Sequence, residues 1–502
     1  MYELNRYNML KRIRTILAAV VFILITLLFL DFTGTAHHWL SWMAKVQFLP
    51  AVLALNVGVI VALIALTLIF GRIYCSVICP LGVFQDLLAR FHRKKNKYSY
   101  SKEVRWLRYP VLVVFVIALV VGVGSFFQLL APYSSYGRIA TMIFQPLWML
   151  GNNVLGVIAE RANSYAFYSV DVWMKSLPVF IIALVTLIVL FVLAWRGGRT
   201  YCNTICPVGT TLSFFARFSL LKIRFDADKC KNCSMCSRNC KAACIDYKTH
   251  TVDYSRCVVC GNCISNCKFG ALKYSGGTSR ASHTSPSGST SPVDASKRSF
   301  LVATAMVAGA AMAQKKEKLM DGGLAELEDK VAPERQTPLT PPGSLSFQHF
   351  AQRCTGCQLC VSECPNDVLR PSGDLMHLML PEMSYERGYC RPECTRCSEV
   401  CPAGAIKPVD KPDKSSIQIG HAVWIKKNCV VLTDEVECGN CARHCPSGAI
   451  EMVPLDPDNE ESPMIPAINE AACIGCGACE YVCPSRPFSA IYVEGHEVHK
   501  KI

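Results

Sequence analysis

Cys354, Cys357, Cys360 and Cys364 stand directly before Pro365, and Cys473, Cys476, Cys479 and Cys483 repeat the pattern before Pro484. In a C-x-x-C-x-x-C-x-x-x-C-P run, three thiolates bind one 4Fe-4S cluster and the fourth reaches a neighbouring cluster. Two further sets stretch the first gap and keep the end of the pattern: Cys390, Cys394, Cys397 and Cys401 before Pro402, and Cys429, Cys438, Cys441 and Cys445 before Pro446. Upstream lies another pair of sets, Cys230, Cys233, Cys236 and Cys240, then Cys257, Cys260, Cys263 and Cys267, with Lys241 and Lys268 in the place of the proline. Exchange of the fourth cysteine assigns one cluster to Cys230, Cys233, Cys236 and Cys267, and the other to Cys257, Cys260, Cys263 and Cys240. The odd thiol Cys244 competes with Cys240 for the distant position, and Cys240 is the preferred ligand. Six sets of four predict about six 4Fe-4S clusters and an electron-transfer role.

Other uses of cysteine fit less well. Structural zinc takes C-x-x-C pairs separated by a longer stretch. Disulfide scaffolds belong to short secreted chains. No C-x-x-C-H occurs, which excludes covalent c-type haem. No glycine-rich nucleotide fingerprint or nucleophile motif is present, so the chain reads as an electron carrier rather than a stand-alone enzyme.

Four more thiols belong to an internal repeat. Gly71 to Phe91 matches Gly198 to Phe218 at a constant offset, and both copies read Gly-Arg-x-Tyr-Cys-x-x-Ile-Cys-Pro-x-Gly. The match implies duplication of a two-helix unit, carrying Cys75 and Cys79 in one copy and Cys202 and Cys206 in the other. A residue before proline avoids helical angles while proline suits a first helical turn, so Cys79 and Cys206 are expected at the caps of helices beginning at Pro80 and Pro207. Val83, Phe84, Leu87, Leu88 and Phe91 predict that the first of these helices lies along a bilayer surface. The four thiols are open to three roles: joint ligands of a metal or cluster, redox-active pairs, or packing.

The elements that must position these groups are legible in hydropathy. Hydrophobic residues make up 51% of the 502 positions and concentrate in runs at 15–32, 48–70, 109–131 and 177–195, each near the roughly 20 residues that span a bilayer core. Four transmembrane helices are expected. The N-terminal segment (Arg6, Lys11, Arg12, Arg14) and the 71–108 loop, which includes Arg93, Lys94 and Lys95, are basic, whereas the other two loops hold only Lys45 and then Arg138, Arg161 and Lys175. The positive-inside rule places the N-terminus, the 71–108 loop and the chain after Trp195 in the cytoplasm. The net charge of +14 conceals an asymmetry: residues 314–502 hold 19 Lys+Arg against 27 Asp+Glu, and residues 1–313 hold 33 against 11. Because the basic residues flank the apolar runs, lipid headgroups and topology account for them, and a nucleic-acid partner is not expected.

A Ser/Gly/Pro-rich tract at 275–296 reads as a linker. It is followed by Lys297-Arg298-Ser299-Phe300-Leu301, a short apolar run and Ala311-Met312-Ala313, which together read as an internal signal or anchoring segment with a small-residue peptidase site. The second cysteine-rich half is therefore expected on the periplasmic side.

With both halves read, the chain resembles a fusion of two ferredoxin-type components. Residues 1–274 resemble the NapH/MauN membrane proteins through their four apolar runs, their paired C-x-x-x-C-P motifs and the two-cluster sets at 230–267. Residues 297–502 resemble the NapG/MauM proteins through the Arg-x-Phe-Leu segment, Pro341-Pro342-Gly343 ahead of Phe350, and sixteen cysteines in four sets. The resemblance implies a membrane α-helical bundle of four spans plus α+β ferredoxin-like iron-sulfur domains. The expected divisions are a membrane domain (1–222), a two-cluster domain (223–274), the linker (275–296), the signal-like or anchoring segment (297–313) and a four-cluster domain (314–502). It also implies a bacterial inner-membrane location, quinol as electron donor, and a periplasmic cytochrome or oxidoreductase as partner. The alternative is an accessory factor that supplies electrons for maturation of a periplasmic metalloenzyme. His37, His38 and Arg138 are the loop residues considered for a quinone site.

Iron analysis checks the cofactor reading. Anaerobically purified protein should contain about 24 iron atoms and as much acid-labile sulfide per chain; a value near eight, or abundant zinc in place of iron, would contradict it.

Overall fold

Backbone polar groups in a hydrocarbon layer must be satisfied internally, so apolar runs of this length fold as helices. The computed structural model describes residues 2–91, 98–164, 166–226, 228–276, 328–459 and 462–502. Arg93, Lys94, Lys95, the linker tract from 277 onward and the signal-like segment 297–313 lie outside the described residues. Among the described residues, three helices are long and apolar enough to cross a membrane: Tyr7–Leu30, Pro132–Arg161 and Leu177–Gly197.

Two of the four runs read as spans are broken into shorter helices. The 15–32 and 177–195 runs fall in these helices. The 48–70 run is divided into Phe48–Leu53 and Val57–Phe70, because Leu55 takes a positive φ and the Asn56 side chain caps the second helix by accepting from the Val59 N–H. The 109–131 run is cut at Gly122, whose left-handed conformation separates Arg105–Val121 from Gly124–Leu130. The Val57–Phe70 helix has 14 residues and Arg105–Val121 has 17, about 21 and 26 Å of rise. The Pro132–Arg161 helix was not expected, since Arg138 and Gln145 interrupt its apolar pattern. Both are buried: the Arg138 guanidinium donates to the carbonyls of Gln128 (2.7 Å) and Leu129 (3.1 Å), and Gln145 donates to the Ser362 carbonyl (3.1 Å).

The first cysteine-rich module is built on small antiparallel pairings. Lys222–Phe225 pairs with Leu272–Ser275, and Ile245–Asp246 pairs with Thr251–Val252. Ser275, the first residue of the expected linker, closes the first of these pairs. In the second module Ile417–Trp424 pairs with Ile491–Lys501, Leu369–Pro371 with Pro381–Met383, and Ile450–Pro454 with Met464–Ile468.

The two modules sit at opposite ends of the same helices. At one end of the Tyr2–Leu30 helix, the Lys11 ammonium donates to Ser265 Oγ (2.8 Å); past its other end, Gly34 lies under the Arg396 guanidinium and His37 faces Glu363. The Leu177–Gly197 helix repeats the arrangement. Pro178 packs on Gly373 of the second module, while Gly198 lies against the Lys241 carbonyl of the first. Further bonds seat each module: Tyr274 OH to the Phe70 carbonyl (2.9 Å) on one side, and Gln128 to the Cys354 carbonyl (3.0 Å) on the other.

Glycine makes the second seat possible. A Cβ on Gly137 would fall 2.1 Å from the Cys357 carbonyl oxygen, whereas a Cβ on Gly151, further along the same helix, would meet nothing within 4 Å. Gly137→Ala should therefore loosen the seat of the second module by roughly 1–3 kcal/mol, read as faster limited proteolysis of residues 328–502 and a lower inactivation temperature. Gly151→Ala is the control, and equal behaviour of the two variants would contradict this packing.

Candidate metal centres

All 29 cysteines are free thiols, and their grouping follows the exchange of the fourth cysteine. In the first module Cys230, Cys233, Cys236 and Cys267 line one cavity with Phe225, Tyr247 and Phe269. Cys263 lies within electrostatic reach of Cys257, Cys260 and Cys240. Cys244 is fully enclosed behind this second group, its sulfur 3.5 Å from that of Cys240. The hydrogen bond between these two thiols lowers the Cys240 pKa to about 7, and the same bond, with another to Cys257, pushes Cys244 up.

In the second module the structure pairs sets whose partnership the sequence had left open. Cys390, Cys394 and Cys397 share a cavity with Cys364, and Cys429, Cys438 and Cys441 share one with Cys483. Reciprocally, Cys401 lies beside Cys354, Cys357 and Cys360, and Cys445 beside Cys473 and Cys476. The Cys390 N–H donates to the Cys476 carbonyl (2.9 Å), so the two pairs of sites abut. The resulting order runs from the Cys354 group, seated on the helices, through the Cys390 and Cys473 groups to the Cys429 group. Backbone N–H groups of Gly356, Ile406, Ala449 and Ala490 donate to the sulfurs of Cys354, Cys401, Cys445 and Cys483 at 3.3 to 3.4 Å, the kind of bond that tunes cluster potentials. Lys414 is buried and donates to the carbonyls of Arg391 and Cys394, bringing a cation against the Cys390 and Cys397 thiols.

The duplicated motif closes on itself inside the helical bundle. Cys79 and Cys206 cap helices Pro80–Leu88 and Pro207–Ala216, as the proline argument predicts, and the Cys206 sulfur accepts from the Gly209 N–H at 3.3 Å. All four thiols are buried, and Cys206 lies within electrostatic reach of Cys202, Cys79 and Cys75. The two copies grip each other across a pseudo-two-fold: Arg72 donates to the Cys202 carbonyl (3.0 Å) and Arg199 to the Cys75 carbonyl. Gly82 and Gly209 admit those carbonyls, since a Cβ would come within 2.2 Å and 2.4 Å of them. Gln85 adds a bond to the Cys202 sulfur (3.3 Å).

Of the apolar residues expected along a bilayer surface, Leu87 and Phe91 are exposed. Phe84, Gln85 and Leu88 are buried in the bundle, because Gly82 permits close approach and Asp86 is drawn inward by Arg199 (2.8 Å) and Lys241 (3.0 Å). Burial opposes ionisation of Asp86, yet Arg199 and Lys241 hold its carboxyl well below the usual carboxylate range. Lys241 stands where the proline is absent, and its side chain and carbonyl both anchor the first module: the Arg199 N–H donates to that carbonyl at 2.9 Å.

Among the described residues, no three thiols come within 4.8 Å of one another. A mononuclear tetrathiolate zinc site has sulfur–sulfur edges of about 3.8 Å, from Zn–S bonds near 2.3 Å.

Reading the cysteines alone missed Arg72, Arg199, Tyr74, Tyr201, Gln85 and Asp86. The first four are repeated in the duplicated Gly-Arg-x-Tyr-Cys motif and were legible there. Tyr74 donates to Gln47 (3.1 Å) and Tyr201 to the Leu130 carbonyl (2.8 Å). Tyr133 is buried in the bundle and packs on Phe29. Of the residues considered for a quinone site, Arg138 is spent on carbonyls, His38 is exposed beside Trp39, and His37 is buried against Glu363 and Glu399.

Cys240→Ser should remove about four iron atoms per chain, the content of one cubane, while Cys244→Ser keeps the full iron content. The reverse result would reassign the ligand.

Comparisons with known proteins bear on the same residues. Residues 52–98 and 178–226 match a family described as a 4Fe-4S binding domain, and 253–368 and 436–486 match 4Fe-4S dicluster domains. The ends of the 253–368 match fall in different modules of the structure. The methylamine utilization ferredoxin-type protein MauM of Methylobacillus flagellatus is 32% identical over 166 residues, 32% of this chain and 70% of that protein. The ferredoxin-type protein NapG of Escherichia coli is 28% identical over 180 residues, 32% of this chain and 75% of that protein. The uncharacterized protein MJ0749 of Methanocaldococcus jannaschii is 24% identical over 245 residues, 47% of this chain and 75% of that protein. No solved structure matches. With its cysteine groups arranged for clusters and this degree of identity to MauM, the chain belongs to the MauM ferredoxin-type family and is an iron-sulfur electron-transfer protein.

Proposed function

We propose that the chain is a membrane-bound electron conduit that links the quinol pool to a periplasmic oxidoreductase. The observation that carries this reading is the seating of the two cysteine-rich modules at opposite ends of the Leu177–Gly197 helix. That helix has 21 residues, about 31 Å of rise, which equals the thickness of a bilayer core. The basic N-terminus and 71–108 loop favour a cytoplasmic first module, leaving the second on the periplasmic side. In this reading Tyr7–Leu30, Val57–Phe70, Arg105–Val121 and Leu177–Gly197 make the crossings. The Pro132–Arg161 helix stays on the periplasmic side, because Gly137 and Gln145 both touch the second module and Lys175, after the chain folds back, donates to its Val361 carbonyl (3.0 Å).

The residues fit the groups assigned to them. Cys230, Cys233, Cys236 and Cys267, and Cys257, Cys260, Cys263 and Cys240, would hold two clusters. Cys354, Cys357, Cys360 and Cys401; Cys390, Cys394, Cys397 and Cys364; Cys473, Cys476, Cys479 and Cys445; and Cys429, Cys438, Cys441 and Cys483 would hold four more. Bound 4Fe-4S clusters supply one-electron carriers with potentials set by their surroundings.

Between the modules, Cys75, Cys79, Cys202 and Cys206 are the ligands of a further centre. Their position supports this: Ser76 accepts from Arg14 (3.4 Å) and Phe84 stacks on Phe22, so the thiols lie partway along the Tyr2–Leu30 helix. Arg72 reaches from the Cys75 sulfur (3.8 Å) and the Cys202 carbonyl to the Ser255 carbonyl (3.0 Å) of the first module. Arg72 sets an unneutralised guanidinium against these thiols in a site closed to water, while Arg199 is paired with Asp86. Quinol as donor rests on the resemblance to NapH and NapG.

Replacing any one of Cys75, Cys79, Cys202 and Cys206 with serine should abolish quinol-dependent reduction of the second module while leaving its reduction by dithionite intact. Unchanged quinol-linked rates in all four variants would contradict the relay. Loss of any quinol requirement once the terminal enzyme is assembled would favour the maturation role instead.

A further inference from the structure

Where the second module meets the helices, three side chains from two parts of the fold converge. Asp31 follows the Tyr2–Leu30 helix, His37 lies in the next helix, Ala36–Lys45, and Glu363 belongs to the second module. One ligand atom from each lies within 4.8 Å of the others. His37 Nδ1 is 3.7 Å from Glu363 Oε2, and His37 Nε2 is 3.4 Å from Glu399 Oε2. The Glu363 side chain has no exposed surface, and neither of its carboxylate oxygens, nor His37 Nδ1, has a hydrogen-bond partner.

We propose that Asp31, His37 and Glu363 bind a divalent first-row cation that fastens the second module to the helices. With its N–H directed from Nε2 to the Glu399 carboxylate, the imidazole turns the Nδ1 lone pair toward Glu363. Two lone pairs then face each other across the gap, an arrangement that burial penalises unless a proton or a metal cation lies between them. The Glu399–His37 contact is the carboxylate–imidazole support that metal-ligating histidines use. Ligand bonds of roughly 2.0 to 2.2 Å imply ligand–ligand edges near 3.4 Å, so the present gap admits an ion with slight contraction.

The mixed imidazole and carboxylate set matches Zn²⁺ or Mn²⁺ better than the soft ions that thiolates select. On its outer side His37 lines a polar cleft of about 470 Å³ with Glu399 and Arg396, behind which Glu363 is enclosed. The neighbouring cations do not fill the gap. Lys175 Nζ is committed to Gln145 Oε1 (3.2 Å) and the Val361 carbonyl, and the Arg396 guanidinium packs over Gly34. Asp31 already accepts the N–H groups of Thr33, Gly34 and Ala36 (2.7 to 3.0 Å), which fixes its carboxylate in place for ligation.

The site adjoins the cysteine centres, with Glu363 next to Cys364 and Glu399 between Cys397 and Cys401, and its test uses the full oxidised protein, whose 4Fe-4S clusters are diamagnetic. Mn²⁺ titrated into chelator-treated protein should lose the free-ion EPR signal for one equivalent, and equimolar Zn²⁺ should restore it. His37→Gln and Glu363→Gln should each weaken binding at least tenfold, Glu399→Gln should weaken it by roughly 10- to 100-fold or less as a supporting partner, and His38→Gln should leave it unchanged. Iron content, measured on every variant, separates loss of this site from loss of a cluster. Absence of a stoichiometric Mn²⁺ site, or equal affinity in His37→Gln and wild type at full iron content, overturns the proposal.

Discussion

Two arginines that never meet water organise the molecule. Arg72 and Arg199 occupy equivalent places in a duplicated motif, and each donates to a carbonyl of the other copy, so neither half of the four-thiol site can form alone. Breaking a buried ion pair such as Arg199–Asp86 by removing one member typically costs about 3–5 kcal/mol. The partners here come from every part of the centre. Asp86 neutralises Arg199 and also binds Lys241, while Arg72 extends to Asn203 and the Ser255 carbonyl. The same hydrogen bonds therefore close the thiol site, join the repeats and hold the first cysteine module against the helices.

Glycine does the corresponding work wherever backbone meets backbone. Gly82 and Gly209 admit the carbonyls of Cys75 and Cys202, Gly198 admits that of Lys241, and Gly137 admits that of Cys357. Each position brings a cysteine-bearing loop to a helix at a distance no side chain would allow. The modules are thus seated through main chain, whose geometry varies less than side-chain rotamers and suits centres whose spacing controls their function.

The cysteine chemistry was legible because cluster ligation imposes a spacing that few other roles share, and the fourth-cysteine exchange correctly anticipated which thiols of the first module come together. The caps at Cys79 and Cys206 were legible for a similar reason: proline leaves its neighbour little conformational choice. Hydropathy was a weaker guide. It could not register that Leu55 and Gly122 break two apolar runs, and it passed over Pro132–Arg161 because Arg138 and Gln145 resemble loop residues until their carbonyl partners are known. The helix at Pro80–Leu88 was read from its apolar residues, whereas its place in the bundle is decided by Gln85 and Asp86. Partner pairing among the four C-terminal sets depends on tertiary contacts such as that between Cys390 and Cys476, which spacing does not encode. His37 was noted only as an isolated loop residue; its significance comes from Glu363, more than three hundred positions away.

The proposed function requires one continuous path between two modules on opposite faces of a membrane. Its most direct test is electron transfer through sealed proteoliposomes that hold the purified holoprotein and entrapped ferricyanide, with a membrane-impermeant reductant supplied outside and no quinone present. The account predicts ferricyanide reduction that depends on the protein and is lost in an Arg72→Leu or Cys202→Ser protein that retains the clusters of both modules. Reduction no faster than in protein-free vesicles, with all clusters loaded and the lipid layer intact, would contradict it.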